Sequence, residues 1–323
     1  MAKICLVGAG KLGARHLQAM RGFREAHTIF VVEPSEEARN DAKRIYESTE
    51  GQENEVYFLA DLAEAAAITG SLDAAVVATG SGPRRAIVER MLELFTIDAL
   101  ILEKVLFQRT KDLDEIWKQL TDRGIKTWVN CPRRYFQVYR DLREELKAAD
   151  RFQVSVSGSD WGLGCNGIHF IDLIAYLAGC AEAHICIDGL DHECIESKRR
   201  GYYEITGTIC GNVGKCSEFS ITSYKGGTVP NSVIITSDAG QCFVFEWAGK
   251  SIGVTSAREI TEKQITIPFQ SQLTNIVIEE ILDTGDCGLT PYQESARLHK
   301  AFLEPLSAFF REQGFEEGLC PIT

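Results

Sequence analysis

The sequence predicts an α/β protein: a doubly wound parallel sheet, then an α+β domain with a large, mainly antiparallel sheet. Two observations support this. Short apolar runs alternate with amphipathic helical runs from residue 3 to about residue 130, and strand-like runs separated by Gly, Asn and Asp turns dominate the rest. The change of pattern divides the chain into domains at 1–130 and 131–323.

The composition limits the kind of protein and its partners. The 323 residues are 45% hydrophobic and 25% charged, which is typical of a globular chain with a substantial core. The formal net charge of −12 argues against nucleic-acid and anionic-membrane partners. The start, MAKICLVGAG, has no signal-peptide pattern and no apolar run reaches 18 residues, so a cytoplasmic protein is expected. The 11 cysteines are scattered without a C-x-x-C, which predicts buried hydrophobes and no metal site.

The elements of the first domain alternate regularly. Its strand-like runs are continuously apolar, as a sheet covered by helices on both faces requires. In order they are KICLVG, TIFVVE, EVYFLA, DAAVVATG, DALILEK and KTWVN. Helical patterns follow the first five of these runs: to about residue 24, near 36–48, a short one after EVYFLA, near 83–95 and near 111–123.

The second domain starts after the connector CPRRYF with a charged helix near 138–148. The strand run QVSVSGS and a helix within WGLGCNGIHFIDLIAYLAG come next. Further predicted strands are AHICIDG, YYEITGTIC, KCSEFSITSY, NSVIITSD, QCFVFEW and KQITIPF, and the last helices lie near 269–283 and 292–313.

A glycine-rich turn follows the first strand. The run Gly8-Ala9-Gly10-Lys11-Leu12-Gly13 opens the first helix, as a dinucleotide-binding G-x-G-x-x-G of the Rossmann type does. Glu33 ends the second strand twenty residues after Gly13, where a carboxylate would bind the ribose hydroxyls. The alternative is a glycine turn beside an unrelated surface glutamate.

The carboxylate also bears on cofactor choice. Glu33 would repel a 2′-phosphate, so NAD(H) is favoured over NADP(H), although Ser35 and Arg39 lie near enough to weaken the preference. Thr79 and Gly80, which follow the fourth strand, are candidates for contact with the nicotinamide half. A plain strand-to-helix turn is an equally good interpretation of these two residues.

A polar stripe runs along the helix after the first strand of the second domain. The spacing of Cys165, His169, Asp172 and Tyr176 puts a thiol, an imidazole, a carboxylate and a phenol on one face. Ile168, Ile171 and Ala175 form an apolar stripe. The polar row is either packing or chemistry, and spacing alone does not decide between them.

These motifs together resemble a known family. With Gly8 to Gly13, the strand end Glu103-Lys104 and the G-x-H-x-x-D of Gly167, His169 and Asp172, the chain resembles the glucose-fructose oxidoreductase and inositol dehydrogenase family (Gfo/Idh/MocA). The resemblance implies a nicotinamide-dependent oxidoreductase acting on CH-OH groups of sugars or related polyols. It also implies a Rossmann domain and a strand-rich second domain that forms a homodimer or homotetramer interface.

The resemblance assigns catalysis to Lys104, as the strand-end lysine that polarises or deprotonates the substrate hydroxyl, and to His169 as acid/base. Glu103 is carried over as a cofactor-binding residue. The chain departs from the family in having Val105 for the proline of Glu-Lys-Pro and Cys165 for the aspartate of Asp-x-x-x-His. A cis bond before valine costs roughly 2.5–4 kcal/mol, so Lys104 is expected to project differently from the family's lysine.

Several residues are candidates for substrate binding. They are Arg133, Arg134, Tyr135, Trp161, Cys165, Asn166 and Asp172. An arginine suits a substrate carboxylate or phosphate and a tryptophan can stack on a sugar face, although solvated arginines and a core tryptophan are ordinary alternatives. Asp172 is expected to orient His169. His16, His184, His192 and His299 have no spacing that suggests a metal site and are interpreted as structural.

The substrate and reaction class stay open within the family. The runs WVNCPRRYF and WGLGCNGIHFID look like those of members associated with sialic-acid-like sugars, which points to an acylamino or nucleotide-activated sugar. Two alternatives remain: an NAD-retaining glycosidase or epimerase-like enzyme, and a catalytically quiet nucleotide-binding regulatory protein.

Overall fold

The computed structural model describes every residue, Met1–Thr323, as two compact units. The first unit contains Met1–Phe107, Asp112–Pro132 and Pro268–Tyr292, and the second contains the rest. The main division after Pro132 lies close to the predicted boundary at residue 130. Pro268–Tyr292 also belongs to the first unit, whereas the prediction, with a single boundary, placed these residues in the second domain.

The strands alternate with helices in the first part of the chain and follow one another in the second. In chain order they are β1 (Lys3–Val7), β2 (Thr28–Val32), β3 (Glu55–Leu59), β4 (Ser71–Val77), β5 (Thr96–Leu102), β6 (Lys126–Val129), β7 (Phe152–Ser159), β8 (Ala183–Leu190), β9 (Ile195–Glu196), β10 (Tyr203–Glu204), β11 (Gly207–Val213), β12 (Cys216–Tyr224), β13 (Ser232–Ser237), β14 (Gly240–Phe245), β15 (Lys250–Thr255), β16 (Ile260–Gln264) and β17 (Thr290–Pro291).

Nine α-helices complete the two units. They are α1 (Lys11–Ala19), α2 (Glu36–Glu47), α3 (Leu62–Ile68), α4 (Ser81–Leu94), α5 (Thr110–Asp122), α6 (Gln137–Leu146), α7 (Leu163–Ala178), α8 (Thr274–Thr284) and α9 (Tyr292–Glu312). Short 3₁₀ turns lie at Met20–Gly22, Pro132–Tyr135, Glu246–Ala248 and Gln270–Gln272. None of the helices is both long and apolar enough to cross a membrane.

The first unit is built on a seven-stranded sheet in the order β17-β6-β5-β4-β1-β2-β3. Strands β1 to β6 are parallel, and β17 pairs with β6 in the antiparallel sense. Four of the five residues of β1, and of β2, are buried, as continuous apolar runs between two helical layers should be. The predicted doubly wound parallel sheet is confirmed.

The second unit contains an eight-stranded sheet in the order β16-β15-β14-β13-β7-β12-β11-β8. Only β7 and β12 are parallel neighbours, so the predicted mainly antiparallel sheet is also confirmed. Along β7 buried residues alternate with half-buried or exposed ones, so one face of the sheet carries the core.

Three strand predictions in the second domain differ from the structure. The run KQITIPF is wrong as a strand: β16 ends at Gln264, and the run contains Pro268, which cannot donate to a ladder. The strand β15 was not predicted, because Ser251 and Gly253 interrupt its apolar pattern. The run YYEITGTIC is divided into β10 and β11, with Gly207 at a φ of +97°.

A buried polar network within the first unit joins Pro268–Tyr292 to the sheet. His16 on α1 lies 2.9 Å (Nδ1) from the Thr274 hydroxyl and 3.1 Å (Nε2) from a Glu103 carboxylate oxygen. Asn130 donates its side-chain amide to the same Glu103 oxygen. His16, Thr274, Glu103 and Asn130 are all at most 5% exposed, so the network is closed to solvent.

The network fixes the charge state of Glu103. Burial by itself raises the pKa of this carboxyl group, but the hydrogen bond and charge of His16, the charge of Lys104 and the hydrogen bond from Asn130 outweigh it. The pKa of Glu103 is therefore held below its ordinary value, and the group is a carboxylate at neutral pH.

This linkage predicts how stability depends on pH. Because the folded pKa is lowered, the carboxylate stabilises the fold above the unfolded-state pKa, and this contribution is lost as pH falls through the folded pKa. Glu103→Gln should lower the free energy of unfolding by about 2 kcal/mol at neutral pH, and the difference from wild type should shrink below about pH 4. Urea unfolding over this pH range measures both effects.

The exposed Asp98 on the same strand provides the matched control. Asp98→Asn should change the free energy of unfolding by less than about 0.5 kcal/mol at every pH. A Glu103→Gln difference that stays constant with pH would contradict the assigned carboxylate.

Candidate functional site

The carboxyl ends of five parallel strands form one row in the first unit. The pairing places Val32 beside Val7, Val7 beside Val77, Val77 beside Leu102 and Leu102 beside Val129. Predicted site residues follow four of these ends on the same edge: Gly8, Glu33, Thr79, Gly80, Glu103 and Lys104. This is the edge at which open α/β sheets bind ligands.

Each glycine of the first turn meets a different steric demand. Gly8 has a φ of +88°, and a Cβ there would lie 2.9 Å from Thr79 Cγ2. A Cβ on Gly13 would lie 1.9 Å from the Gly8 carbonyl oxygen, so α1 can approach the strand end only because residue 13 has no side chain. A Cβ on Gly10 would meet nothing within 4 Å, which leaves that backbone open to a ligand.

The residues after Gly10 begin α1 at this opening. Lys11 is exposed and Leu12 is half-buried, and the first backbone N–H groups of the helix face the turn. An anion placed against Gly10 would thus be near the amino-terminal end of the helix dipole. The turn fits the pyrophosphate of a dinucleotide.

Glu33 lies directly against the glycine turn. One of its carboxylate oxygens accepts the backbone N–H of Ala9 at 2.8 Å, and the other accepts that of Ser35 at 2.9 Å. Arg39 donates to the backbone carbonyl of Glu33 at 2.6 Å. The carboxylate is thus fixed beside the turn, as a ribose-binding group must be.

Arg84 is a residue of this sheet edge that sequence reasoning missed. It is 1% exposed, and its guanidinium donates to the backbone carbonyls of Thr79, Val105 and Leu106, the last at 2.9 Å. A single buried cation therefore holds the turn after β4 against the chain that follows Lys104. The sequence SGPRR offered no signal to distinguish it from Arg85, which is partly exposed and pairs with Asp112, Glu89 and Glu115.

Lys104 is half-buried, two residues beyond the end of β5. The peptide bond between Lys104 and Val105 is cis. The expectation that valine in place of proline would remove a cis bond here is therefore wrong.

In the second unit, α7 begins at Leu163 and carries the predicted polar stripe. Ile168, Ile171 and Ala175 are at most 1% exposed, as expected, but Asp172 is buried to the same degree. His169 and Cys165 are half-buried. Tyr176 is also half-buried, so the stripe is divided into one buried carboxylate and three partly accessible groups.

The two connector arginines have carboxylate partners within the second unit. Arg133 makes two hydrogen bonds of 2.8 Å to Glu246 and lies 4.1 Å above the ring of Phe170. Arg134 makes a two-pronged contact with Asp172, at 3.0 and 2.9 Å, and a further one with Glu294 at 2.5 Å. Both guanidinium groups are held in place by protein carboxylates.

These pairs keep Arg134 charged in a buried position. Burial alone lowers the pKa of its guanidinium, but the charges and hydrogen bonds of Asp172 and Glu294 raise it above its ordinary value. Sequence reasoning missed Glu246 and Glu294 because each lies more than a hundred residues from its partner.

The remaining candidates surround the start of α7. Glu204, also missed from sequence, accepts the backbone N–H of Gly164 at 2.8 Å and that of Cys165 at 3.3 Å. Asn166 donates its side-chain amide to the carbonyl of Trp161 at 2.8 Å. Glu204 thus places a carboxylate at the backbone N–H groups that begin α7.

Aromatic rings accompany these polar groups. Trp161 donates its indole N–H to the Thr222 carbonyl at 2.9 Å and packs edge-on against Phe170. Tyr135 is half-buried, and the guanidinium of Arg140 lies 5.1 Å from its ring centre. Trp161 is therefore tied to the sheet, and its other surface remains partly accessible.

A cavity of about 250 Å³ lies beside Phe170 in the second unit. Its lining residues are Phe170, Asn231, Val233, Val244, Glu246 and Trp247. A larger cavity of about 690 Å³ lies between α6 and β13 to β16, and none of the predicted site residues lines either cavity. No group of three or more His, Cys, Asp or Glu side chains is arranged to hold a metal ion.

Comparisons with known proteins agree with this architecture. Residues 2–131 match the oxidoreductase family GFO_IDH_MocA, with an NAD-binding Rossmann fold. An oxidoreductase from Agrobacterium radiobacter in complex with NAD+, L-tartaric acid and magnesium has a TM-score of 0.72 at 15% identity, over 95% of this chain and 96% of that one.

Two further structures are similar over almost their whole length. UDP-N-acetylglucosamine 3-dehydrogenase from Acidithiobacillus ferrooxidans has a TM-score of 0.69 at 13% identity, covering 94% of this chain and 96% of that one. Biliverdin reductase from Synechocystis, in complex with biliverdin and NADP+, has a TM-score of 0.70 at 13% identity, covering 97% of this chain and 99% of that one. A comparison with curated protein sequences gave no match. Residues 2–131 thus match the Gfo/Idh/MocA oxidoreductase family, in agreement with the resemblance seen in the sequence.

Proposed function

We propose that this protein is an NAD(H)-dependent oxidoreductase that transfers hydride to or from a carbinol carbon of a sugar or sugar derivative. The observation that carries the proposal is the sheet edge of the first unit. There the open backbone of Gly10, the fixed carboxylate of Glu33 and the strand-end Lys104 follow β1, β2 and β5 on one edge of the parallel sheet. When bound, the nicotinamide supplies the hydride acceptor or donor.

The preference for NAD(H) rests on the surroundings of Glu33. Both carboxylate oxygens already accept backbone N–H groups, which fixes the negative charge beside the ribose position. A 2′-phosphate would place a second negative charge there. Arg39 could offset this charge, but its guanidinium is directed to the backbone carbonyl of Glu33.

We therefore expect NADH to bind at least about tenfold more tightly than NADPH, equivalent to about 1.4 kcal/mol. Glu33→Gln removes the charge and should bring the two affinities together, whereas the exposed Glu37→Gln should leave the ratio unchanged. Calorimetric titration with both nucleotides measures this. Equal affinities in the wild type would remove Glu33 from the ribose site.

The substrate class is proposed from the second unit. The cavity beside Phe170 has an apolar wall, a carboxylate at Glu246 and a largely exposed indole at Trp247, features that suit the faces and hydroxyls of a sugar ring. Its volume of about 250 Å³ suits one sugar ring. Similarity to a UDP-N-acetylglucosamine 3-dehydrogenase supports a sugar derivative such as an acylamino or nucleotide-activated sugar.

The proton of the reacting hydroxyl is assigned to two side chains. Lys104 would donate a proton to this oxygen or accept one from it. His169 would act as the general acid or base near neutral pH. Arg133, Arg134, Tyr135, Trp161, Cys165, Asn166 and Asp172 are proposed to bind or position the substrate. For both arginines we propose positioning, because each is already paired with a carboxylate of the same unit.

A screen of sugars, acylamino sugars and nucleotide sugars with NAD+ tests the proposed activity. We expect NADH absorbance to rise with at least one of them. Binding of a sugar without any change in absorbance, even in the reverse direction with NADH and the oxidised sugar, would contradict it and favour a binding protein. If the protein retains its nucleotide tightly and converts the sugar without net formation of NADH, the result would instead indicate an epimerase-like enzyme.

The role of His169 can be separated from packing by comparing two substitutions on α7. His169→Ala should lower turnover roughly 10² to 10⁴-fold, because general acid/base catalysis contributes about that much. Cys165→Ala removes a neutral thiol and should change turnover less than about tenfold. NADH affinity and melting temperature should stay close to wild type in both variants. Wild-type turnover in His169→Ala would remove it from catalysis.

We also propose that the protein is a homodimer or larger. The face of the second sheet opposite to its buried residues carries the partly exposed Ile234, Phe243 and Ile252, which are cross-strand neighbours on β13, β14 and β15. A second copy could cover this apolar row across a two-fold axis.

Sedimentation at micromolar concentration should therefore give a species of at least twice 35.8 kDa. Phe243→Lys should shift the distribution toward monomer by placing a charge in the interface, whereas Lys263→Glu on the exposed strand β16 should not. A single monomeric wild-type species would show that the sheet face is not an interface.

A further inference from the structure

Two cysteines lie directly opposite each other at the edge of the second sheet. Cys186 on the edge strand β8 is the register partner of Cys210 on β11 in an antiparallel pair. Directly opposed residues of such a pair project to the same face, with Cα atoms about 4.5–5.5 Å apart. A disulfide needs a Cα separation of about 4.4–6.8 Å, so this pairing satisfies its backbone requirement.

The two thiols are both partly accessible in the single chain. Cys186 and Cys210 are free and half-buried, whereas four other cysteines of the chain are buried: Cys5, Cys131, Cys216 and Cys320. Burial raises the pKa of the Cys210 thiol, and a hydrogen bond with the Cys186 thiol, followed by the charges of Cys186, Asp188 and Glu218, raises it further. The register pairing places both thiols on one face at the edge of the sheet.

We propose that Cys186 and Cys210 form a dithiol site that is reversibly oxidised to an intramolecular disulfide by low-molecular-weight disulfides and that also binds thiophilic reagents such as trivalent arsenicals. No metal or nucleotide is needed for this chemistry. The site is independent of the oxidoreductase activity proposed above.

The reaction is a pair of thiol–disulfide exchanges. The Cys186 thiolate attacks one sulfur of the small disulfide, whose S–S bond breaks, and the first small thiol leaves with a proton. The Cys210 thiolate then attacks the Cys186 sulfur of the mixed disulfide and expels the second small thiol. The protein dithiol loses two electrons and two protons, and the small disulfide gains them.

Cys186 is assigned the first step because it lies on the edge strand, which has a neighbour on one side only. Cys210 acts second, when its target sulfur is already held opposite to it.

The segment enclosed by the two cysteines gives the disulfide a structural effect. Residues 187–209 include the two-stranded pair β9 and β10 and Glu204, whose carboxylate binds the backbone at the start of α7. The disulfide would tie both ends of this segment and restrict its opening. Oxidation is thus expected to hold Glu204 more firmly against α7.

Mass spectrometry tests the site on the intact, native chain. The protein is incubated with excess oxidised glutathione, remaining thiols are blocked with N-ethylmaleimide, and peptides are mapped without reduction. We expect a peptide pair joining Cys186 to Cys210, two fewer blocked thiols and no glutathione at these positions. Dithiothreitol should restore both thiols. Phenylarsine oxide should add once, bridging the two sulfurs with loss of water.

Substitutions separate this dithiol from ordinary thiol reactivity. In Cys210→Ser, Cys186 should carry a stable mixed disulfide with glutathione, and arsenical binding should fall at least about tenfold. Cys242→Ser is the matched control, because Cys242 is also half-buried on a strand, but its register partners are Ile235 and Gly253. It should behave like wild type.

Two results would overturn the proposal. One is full alkylation of both cysteines, or glutathione retained on Cys186, in oxidised wild type. The other is arsenical binding that is the same in wild type and Cys210→Ser. The wild-type peptide map needs no variant, so a Cys210→Ser chain that fails to fold does not affect this test. Hydrogen exchange in residues 187–209 should slow on oxidation, and an unchanged rate would contradict the proposed effect on Glu204.

Discussion

The register of the parallel strands is the constraint on which the first unit depends. Because β2, β1, β4, β5 and β6 end in one row, residues from five separate parts of the chain arrive at one sheet edge. The glycine turn keeps this row accessible: any side chain at Gly13 would collide with the Gly8 carbonyl and force α1 away. Arg84 then fixes two of the loops by their carbonyl groups.

Much of the first unit could be predicted from sequence because its signals are local. Periodicity gave the strands and helices, and the glycine spacing with Glu33 gave the turn and its carboxylate. Arg84 and His16 could not be found in this way, because their importance depends on partners from other segments. The cis bond at Lys104 was also beyond sequence reasoning, since valine carries no local signal for it.

The second unit shows the same limit more strongly. Its polar stripe on α7 was visible as spacing, but burial separates Asp172 from the more accessible His169. The carboxylates that engage Arg133, Arg134 and the start of α7 come from distant segments: Glu246, Glu294 and Glu204. Strand β15 was missed for a related reason, because Ser251 and Gly253 hide a strand that is defined by its neighbours.

The discontinuity of the first unit has a consequence for the growing chain during synthesis. His16 contacts Thr274, so the polar network of His16, Thr274, Glu103 and Asn130 cannot form completely until residue 274 has left the ribosome. By then the ribosome has already made residues 133–267, which belong to the second unit. The nascent first unit must therefore wait with α1 incompletely covered, and every amino-terminal fragment that contains all of it also contains residues 133–267 of the second unit.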